Sequence, residues 1–272
     1  MELTLAYSTC PNDTFIFEAL VHGRVDTEGL HFRVVLEDIL ELNARARAGR
    51  ADVCKVSFLA YAQLQDRWTL LPSGAALGRG VGPLLVARSP LSADDLATAQ
   101  IGIPGWDTTA HLLFHRFAPQ AQERRVLRFD QIMPAVARGE LDAGVIIHES
   151  RFTYKQWGLQ CLADLGAHWE ADLGVPIPLG GIIAQQALGP DIHAKLARSI
   201  RRSLAFARAQ PHIVQPYVAA HAQEMAADVM QQHIDLYVND FSLDLGPEGQ
   251  QAVKVLLAEA PQMQAFASHH QP

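Results

Sequence analysis

The chain has 272 residues, 49% hydrophobic and 19% charged, with 19 Gly and 15 Pro; this is an ordinary globular composition and excludes collagen-like, coiled-coil and disordered chains. Twenty-two basic against 29 acidic residues leave a formal net charge of −7, without the basic excess of a protein that works on nucleic acid. At about 150 residues per domain, the length allows two domains or one large one.

Met1-Glu2-Leu3-Thr4 lacks the basic and apolar regions of a secretory leader. No window reaches the ~18 apolar residues that span a bilayer, so no membrane is expected and the cytosol is the expected compartment. Cys10, Cys54 and Cys161 are odd in number and form no CxxC pair, which points to neither a disulfide framework nor a zinc site. The 12 histidines show no HExxH-like spacing, so no metal is expected.

Strand and helix patterns alternate along the chain, the signature of an α/β fold. Residues 3–7 alternate as a strand, Ser8-Thr9-Cys10-Pro11-Asn12-Asp13 reads as a loop, and 14–21 form an apolar helical run stopped by Gly23. Residues 31–36 read as a second strand, 39–48 as a helix and 52–56 as a third strand, with Ser57 placed to cap a helix over 58–64. Gly74, Gly78, Gly80 and Gly82 precede a strand at 83–87. A second unit opens where Ser92 can cap a short helix. It continues with a strand at 100–104, a helix at 110–117, a helix at 131–138 ending at Gly139, and a strand at 143–147 that delivers His148. The Pro- and Gly-rich run Val175-Pro176-Ile177-Pro178-Leu179-Gly180-Gly181 reads as a connection into a short strand at 182–184. Helices follow at 191–209, 211–221, 223–238 and 248–259, with Pro211 and Pro247 at first-turn positions. Residues 268–272 read as a frayed tail. The expected architecture is a discontinuous α/β lobe over 1–92 and 179–272, an inserted α/β lobe over 93–178, and a ligand cleft between them.

Ligands of open α/β sheets sit beyond the C-terminal ends of strands. Those ends carry Ser8 to Asp13, Lys55 with Ser57, Thr108 with Thr109, and His148. Ser57, Thr108 and Thr109 each begin a helix, where free N–H groups and the dipole favour an anion; the plainer role for each is an N-cap. His148 leaves an apolar strand into the polar turn Glu149-Ser150-Arg151, and an imidazole is a suitable general base near neutral pH; the plainer role is a histidine bonded to backbone. Ser8, Asn12, Arg79 and Glu149 are further candidates for the cleft. Nucleophilic catalysis has little support: there is no GxSxG elbow, and Cys10 has no evident histidine partner. Gly78-Arg79-Gly80-Val81-Gly82 fits neither phosphate-binding motif and reads as backbone flexibility at a crossing. Trp106, Phe58, Tyr61 and Phe152 are candidates for stacking on a flat ligand. Arg198, Arg201, Arg202 and Arg208 read as a solvated helix face.

Several of these segments carry a resemblance. Ser8-Thr9-Cys10-Pro11-Asn12-Asp13-Thr14-Phe15, Lys55-Val56-Ser57-Phe58, Gly78-Arg79-Gly80-Val81-Gly82-Pro83-Leu84, Pro104-Gly105 with Thr108-Thr109-Ala110, and Ile147-His148-Glu149-Ser150-Arg151-Phe152-Thr153-Tyr154 together resemble the 1,4-dihydroxy-6-naphthoate synthase family of the futalosine route to menaquinone. Thr9 and Cys54 depart from it, where the family usually has proline and commonly threonine. The resemblance implies a two-lobed fold like type II periplasmic binding proteins. It implies a lyase that converts cyclic dehypoxanthine futalosine to 1,4-dihydroxy-6-naphthoate and dihydroxyacetone without metal or organic cofactor. It also implies His148 as proton acceptor, with Lys55, Val56, Ser57, Thr108 and Thr109 binding a small anionic substrate. The rival readings are a non-catalytic solute-binding protein, a ligand-sensing domain, and a chorismate dehydratase of the same pathway and fold.

Overall fold

The computed structural model describes residues 1–222 and 226–270. β1 (Glu2–Tyr7), α1 (Pro11–Val21), β2 (His31–Leu36), α2 (Ile39–Arg47), β3 (Val53–Ser57) and α3 (Phe58–Tyr61) succeed one another as βα units. β1 pairs in parallel with β2 and with β3, as crossover helices require. α1 starts three residues before its apolar run, because Pro11 sits in the first turn, where its missing N–H costs nothing. The expected 8–13 loop is correspondingly shorter. A capping box of Asp38 and Glu41 starts α2, and Ser57 caps α3. β4 (Trp68–Leu70) and β5 (Ala76–Gly78) follow, each too short for alternation to be read in the sequence.

The chain then builds a second sheet. It consists of β6 (Leu84–Ala87), α4 (Ala93–Thr98), β7 (Ile101–Ile103), α5 (Thr109–Phe117), β8 (Arg124–Val126), α6 (Phe129–Arg138), β9 (Ala143–Ile146), α7 (Ser150–Thr153), β10 (Gln160–Asp164) and α8 (Leu165–Leu173). The strand order is β10-β6-β9-β7-β8. A division at 92/93 assigns β6 to the first lobe, whereas β6 pairs with β9 and β10. The chain is therefore already in the second sheet at Leu84. Gly82 belongs to this crossing for a steric reason rather than for flexibility: a Cβ there would lie 2.3 Å from the Cα of Gly166. Two backbones meet at that point, and only glycine fits.

β11 (Ile177–Gln185) returns to the first sheet. The Pro/Gly-rich run expected as a connection is in fact largely strand, antiparallel to β5, β3 and β4 in turn. Pro178 is accommodated where the register with β5 shifts between Pro178 and Gly180. A Cβ at Gly180 would press on the Val56 carbonyl oxygen at 3.0 Å. The first sheet runs β2-β1-β3-β11-β4, with β5 also on β11.

The remaining elements are α9 (Gly189–Ala209), α10 (Pro211–His221), α11 (Ala227–Tyr237), α12 (Asp240–Leu243) and α13 (Gly246–His270). Of the helix expected over 223–238, residues 223–225 lie outside the described residues. α13 continues past the expected 248–259 into the expected tail, of which 271–272 lie outside the described residues. On α9, Arg198 and Arg202 pair with Glu28, and Arg201 with Asp244. α9, α10 and α11 pack on α1, whereas α13 touches α3, β11 and α5. One buried apolar cluster joins Phe58 and Leu59 of α3 to Phe114, Trp169 and, on α13, Leu256 and Met263. The two lobes thus share a core, and the cleft is a cavity within it.

Candidate active site

The strand ends of both sheets converge on one cavity, which contains about 680 Å³ of non-atom space with its open mouth included. That lies within the ~300–1,000 Å³ usual for small-molecule sites. Ser8, Asn12, Lys55, Ser57, Thr108, Thr109 and His148 all line it.

One wall comes from the first sheet. Side chains alternate along β3, so Lys55 and Ser57 face the cavity while Val56 packs on the other side with Trp68 and Ile183. Lys55 Nζ donates to Asp13 Oδ1 at 2.8 Å and to the Gly74 carbonyl at 3.3 Å. Asp13 also accepts from Asn12 Nδ2 at 2.9 Å and from Ser8 Oγ at 2.7 Å. A buried ion pair is tolerable when its remaining lone pairs and protons are satisfied in this way. Cys10 is buried at the head of α1; burial and the neighbouring Glu149 push its thiol well above the ordinary range, so it is no nucleophile. Cys54 is buried, and its thiol is pushed up to about 12.

The hydroxyls expected to bind an anion are already engaged. Ser57 Oγ donates to the Asp107 carbonyl at 2.6 Å and accepts from Asn43 Nδ2 and the Ala60 N–H. Thr108 Oγ1 donates to the Gly105 carbonyl at 2.8 Å and accepts the His111 N–H. Thr109 Oγ1 donates to the Leu179 carbonyl at 3.0 Å. Ser57, with an Arg47–Asp107 ion pair beside it, therefore ties one lobe to the other. The first N–H groups of an α-helix have no intrahelical partner. At the start of α5 these belong to Thr109 and Ala110, both on the cavity wall.

His148 terminates the second sheet's contribution. β9 ends at Ile146, and His148 adopts φ +56° before α7 begins. A non-glycine residue in this left-handed region costs of order 1–2 kcal/mol, and such outliers cluster at functional sites. The turn carries the imidazole into the cleft, edge-on to Phe129 with centroids 4.9 Å apart. Among the described residues no group hydrogen-bonds the ring, although part of it faces the cavity. Desolvation pushes its pKa down to about 4, against an opposing pull from Asp13 and with help from Lys55. The ring is therefore neutral, with its basic nitrogen available.

Asp13, the last residue of the Ser8 to Asp13 strand end, organises the first wall. Two site residues lie outside the expected set. His233 and Tyr237 line the cavity from α11, one helical turn apart on a buried face with Met230 and Ile234; only their polar character on an apolar stripe marks them in the sequence. His233 Nε2 bonds Asn12 Oδ1 at 3.0 Å, and its ring lies 6.1 Å from His148, nearly parallel. Glu149 is buried beneath the turn, with Oε2 3.8 Å from His233 Nδ1. Arg79 points elsewhere, to Glu248 and the Gly174 carbonyl. Trp106, Phe58, Tyr61 and Phe152 do not line the cavity; Phe58 is core. Among the described residues no three His, Cys, Asp or Glu side chains gather as a metal-binding group, and no helix is long and apolar enough to cross a membrane.

A family model for menaquinone biosynthesis matches residues 3–262. Over 258 residues the chain is 50% identical to the 1,4-dihydroxy-6-naphthoate synthase of Thermus thermophilus, covering 95% of this chain and 93% of that one. The chain belongs to the 1,4-dihydroxy-6-naphthoate synthase family. A second relative of that name, from Streptomyces coelicolor, is 47% identical over 263 residues, covering 95% and 92%. The family is one of menaquinone-biosynthesis enzymes, and its fold extends further. A solved Archaeoglobus fulgidus protein superposes with a TM-score of 0.90 at 33% identity, over 97% of this chain and 98% of that one. The periplasmic aliphatic sulphonate binding protein of Escherichia coli gives 0.68 at 16% identity, over 97% and 87%. At that identity the likeness is one of fold, that of the periplasmic binding proteins.

Proposed function

We propose that this chain is a cytosolic carbon–carbon lyase that converts cyclic dehypoxanthine futalosine to 1,4-dihydroxy-6-naphthoate and dihydroxyacetone, with His148 as the general base. The observation that carries the reading is the His148 imidazole, set at a strand end by a left-handed turn, with no hydrogen bond to its ring among the described residues, and facing the cavity. The motif around it and the family's name supply the reaction.

Aromatisation of the ring system provides the driving force, so the protein's task is to take a carbon-bound proton and to hold the charge that develops. A neutral imidazole does the first and typically contributes ~10²–10⁴-fold. Its depressed basicity rises when an anionic substrate occupies the cavity, because a nearby negative charge favours the imidazolium. The N–H groups of Thr109 and Ala110 at the start of α5 suit the substrate carboxylate or a developing oxyanion. Lys55 supplies positive charge from the facing wall, and Ser57, through Asp107, keeps the lobes together and excludes water.

The test is incubation of the purified chain with cyclic dehypoxanthine futalosine, with chorismate in parallel, following the aromatic product by absorbance. Stoichiometric naphthoate and dihydroxyacetone are expected. Binding without product would make the chain a solute-binding protein, and turnover of chorismate alone would make it a dehydratase.

A further inference from the structure

Five hydroxyl side chains line the cavity: Ser8, Ser57, Thr108, Thr109 and, from α11, Tyr237. A hydroxyl has one proton to donate, and four of the five spend it on the protein. Ser8 Oγ donates to Asp13 Oδ2, Ser57 Oγ to the Asp107 carbonyl, Thr108 Oγ1 to the Gly105 carbonyl and Thr109 Oγ1 to the Leu179 carbonyl. Tyr237 differs. Its backbone carbonyl accepts from Ser242 Oγ at 3.3 Å, but among the described residues its phenol oxygen has no hydrogen-bond partner. The residue is only 6% exposed, yet that oxygen is not one of the sealed atoms that lack a partner, so the exposure it keeps is to the cavity it lines. A buried donor without an acceptor is costly, and the hydroxyl of a buried tyrosine usually finds a partner. Here the acceptor must come from what enters the cavity.

The phenol is also fixed in place. Its ring packs on that of His233 with centroids 4.6 Å apart, and the His233 ring lies 6.1 Å from that of His148. Just beyond Tyr237 the chain is pinned to the first lobe, where Asn239 Nδ2 donates to the Leu77 carbonyl and Ser242 Oγ to the Ala75 carbonyl, both at 2.9 Å. Burial pushes the phenol above its ordinary range, so near neutral pH it is an O–H and not a phenolate. A dry, fixed, neutral donor suits an oxygen on which charge develops. We propose that Tyr237 is a catalytic residue whose O–H donates a hydrogen bond to the substrate oxygen that gains negative charge as His148 takes the carbon-bound proton. The C–H bond breaks, its proton goes to the imidazole, and its electron pair is delocalised onto that oxygen. The phenol shares its hydrogen and keeps its own proton.

This role rests on the reading of His148 as base, so its test includes arms that need no turnover. Tyr237→Phe removes the hydroxyl and keeps the ring. Single turnover of cyclic dehypoxanthine futalosine by the variant is expected to slow about 10²-fold, the usual loss for one such donor. Its dissociation constant is expected to stay within about fivefold, with Tm unchanged. The second arm uses 5-hydroxy-2-naphthoate, whose naphthol and naphtholate forms differ in absorbance. At one pH the wild type is expected to hold a larger naphtholate fraction than Tyr237→Phe. In the third, the hydroxyl-bearing ring carbon of Tyr237 in the wild type, labelled with carbon-13, is expected to shift when the naphthol binds. An unchanged rate, a rate loss that merely follows a lowered Tm, or equal naphtholate fractions would each overturn the proposal. An unmoved carbon-13 signal would overturn it even if the variant fails to fold. If the wild type turns over no substrate, the proposed reaction fails, and the naphthol and carbon-13 arms still decide whether Tyr237 serves a ligand oxygen.

Discussion

The two walls of the cavity are built on opposite plans. On the first-sheet wall, Ser8, Asn12, Asp13 and Lys55 form a closed network in which both Asp13 oxygens are taken and the one cation is matched by one anion. On the second-sheet wall, the His148 ring makes no hydrogen bond among the described residues, and Thr109 and Ala110 at the start of α5 line the cavity. A saturated network holds its shape and supplies a fixed field. An unsaturated imidazole and free N–H groups retain the capacity to bind and to move a proton. The contrast assigns rigidity to one wall and chemistry to the other.

Substitutions that unbalance the first wall should have the largest effect on stability. Lys55→Met leaves Asp13 buried without its cation, and a broken buried pair costs about 3–5 kcal/mol. Chemical denaturation should show that loss, and Asp13→Asn added to Lys55→Met should recover part of it. A single variant of unchanged stability would mean that the pair is not the wall's framework.

On the second wall the expected signature is a pH window. His148 is held neutral in the folded chain with its pKa at about 4, below the 6.5 of an ordinary histidine, so the unfolded chain binds more protons between those values. Stability is therefore complete above pH 6.5 and declines as pH falls toward 4, by about 3 kcal/mol from this group. Denaturation midpoints across that range should fall less steeply in His148→Asn. Parallel curves would contradict the enclosure of the ring.

The seam between the lobes gives a smaller effect. Gly82→Ala forces a methyl against the Gly166 backbone, and such overpacking costs about 1–3 kcal/mol, readable as a lowered Tm. The smallest expected change is at Thr108. Its hydroxyl is already used twice within the cap, so Thr108→Ala should lose ~1 kcal/mol of stability while ligand affinity stays within about twofold. A large loss of affinity at unchanged stability would return Thr108 to the list of direct ligand contacts.

The contrast between the walls also explains what was legible in the sequence. Local signals survive where one residue acts on its own neighbours. Ser57 and Thr108 cap helices as their positions imply, and His148 stands at the end of an apolar strand. Long-range partners leave no such trace. Asp13 looks like part of a loop until Pro11 is seen as a helix start rather than a break. His233 and Tyr237 come from α11, more than 80 residues beyond the turn they face. β11 was obscured because Pro178 and Gly180 usually mark a break; here they sit at a register shift and at a close backbone approach. The three-residue strands β4, β5 and β8 are fixed by their sheets more than by their own pattern.

The central claim is that the His148 ring, which makes no hydrogen bond among the described residues, is where the proton is taken. The direct measurement is single-turnover product formation by His148→Asn with cyclic dehypoxanthine futalosine, alongside the dissociation constant of the same variant. The expected result is a loss of ~10²–10⁴-fold in the chemical step with affinity held within about tenfold. Near-normal turnover by His148→Asn would contradict the account.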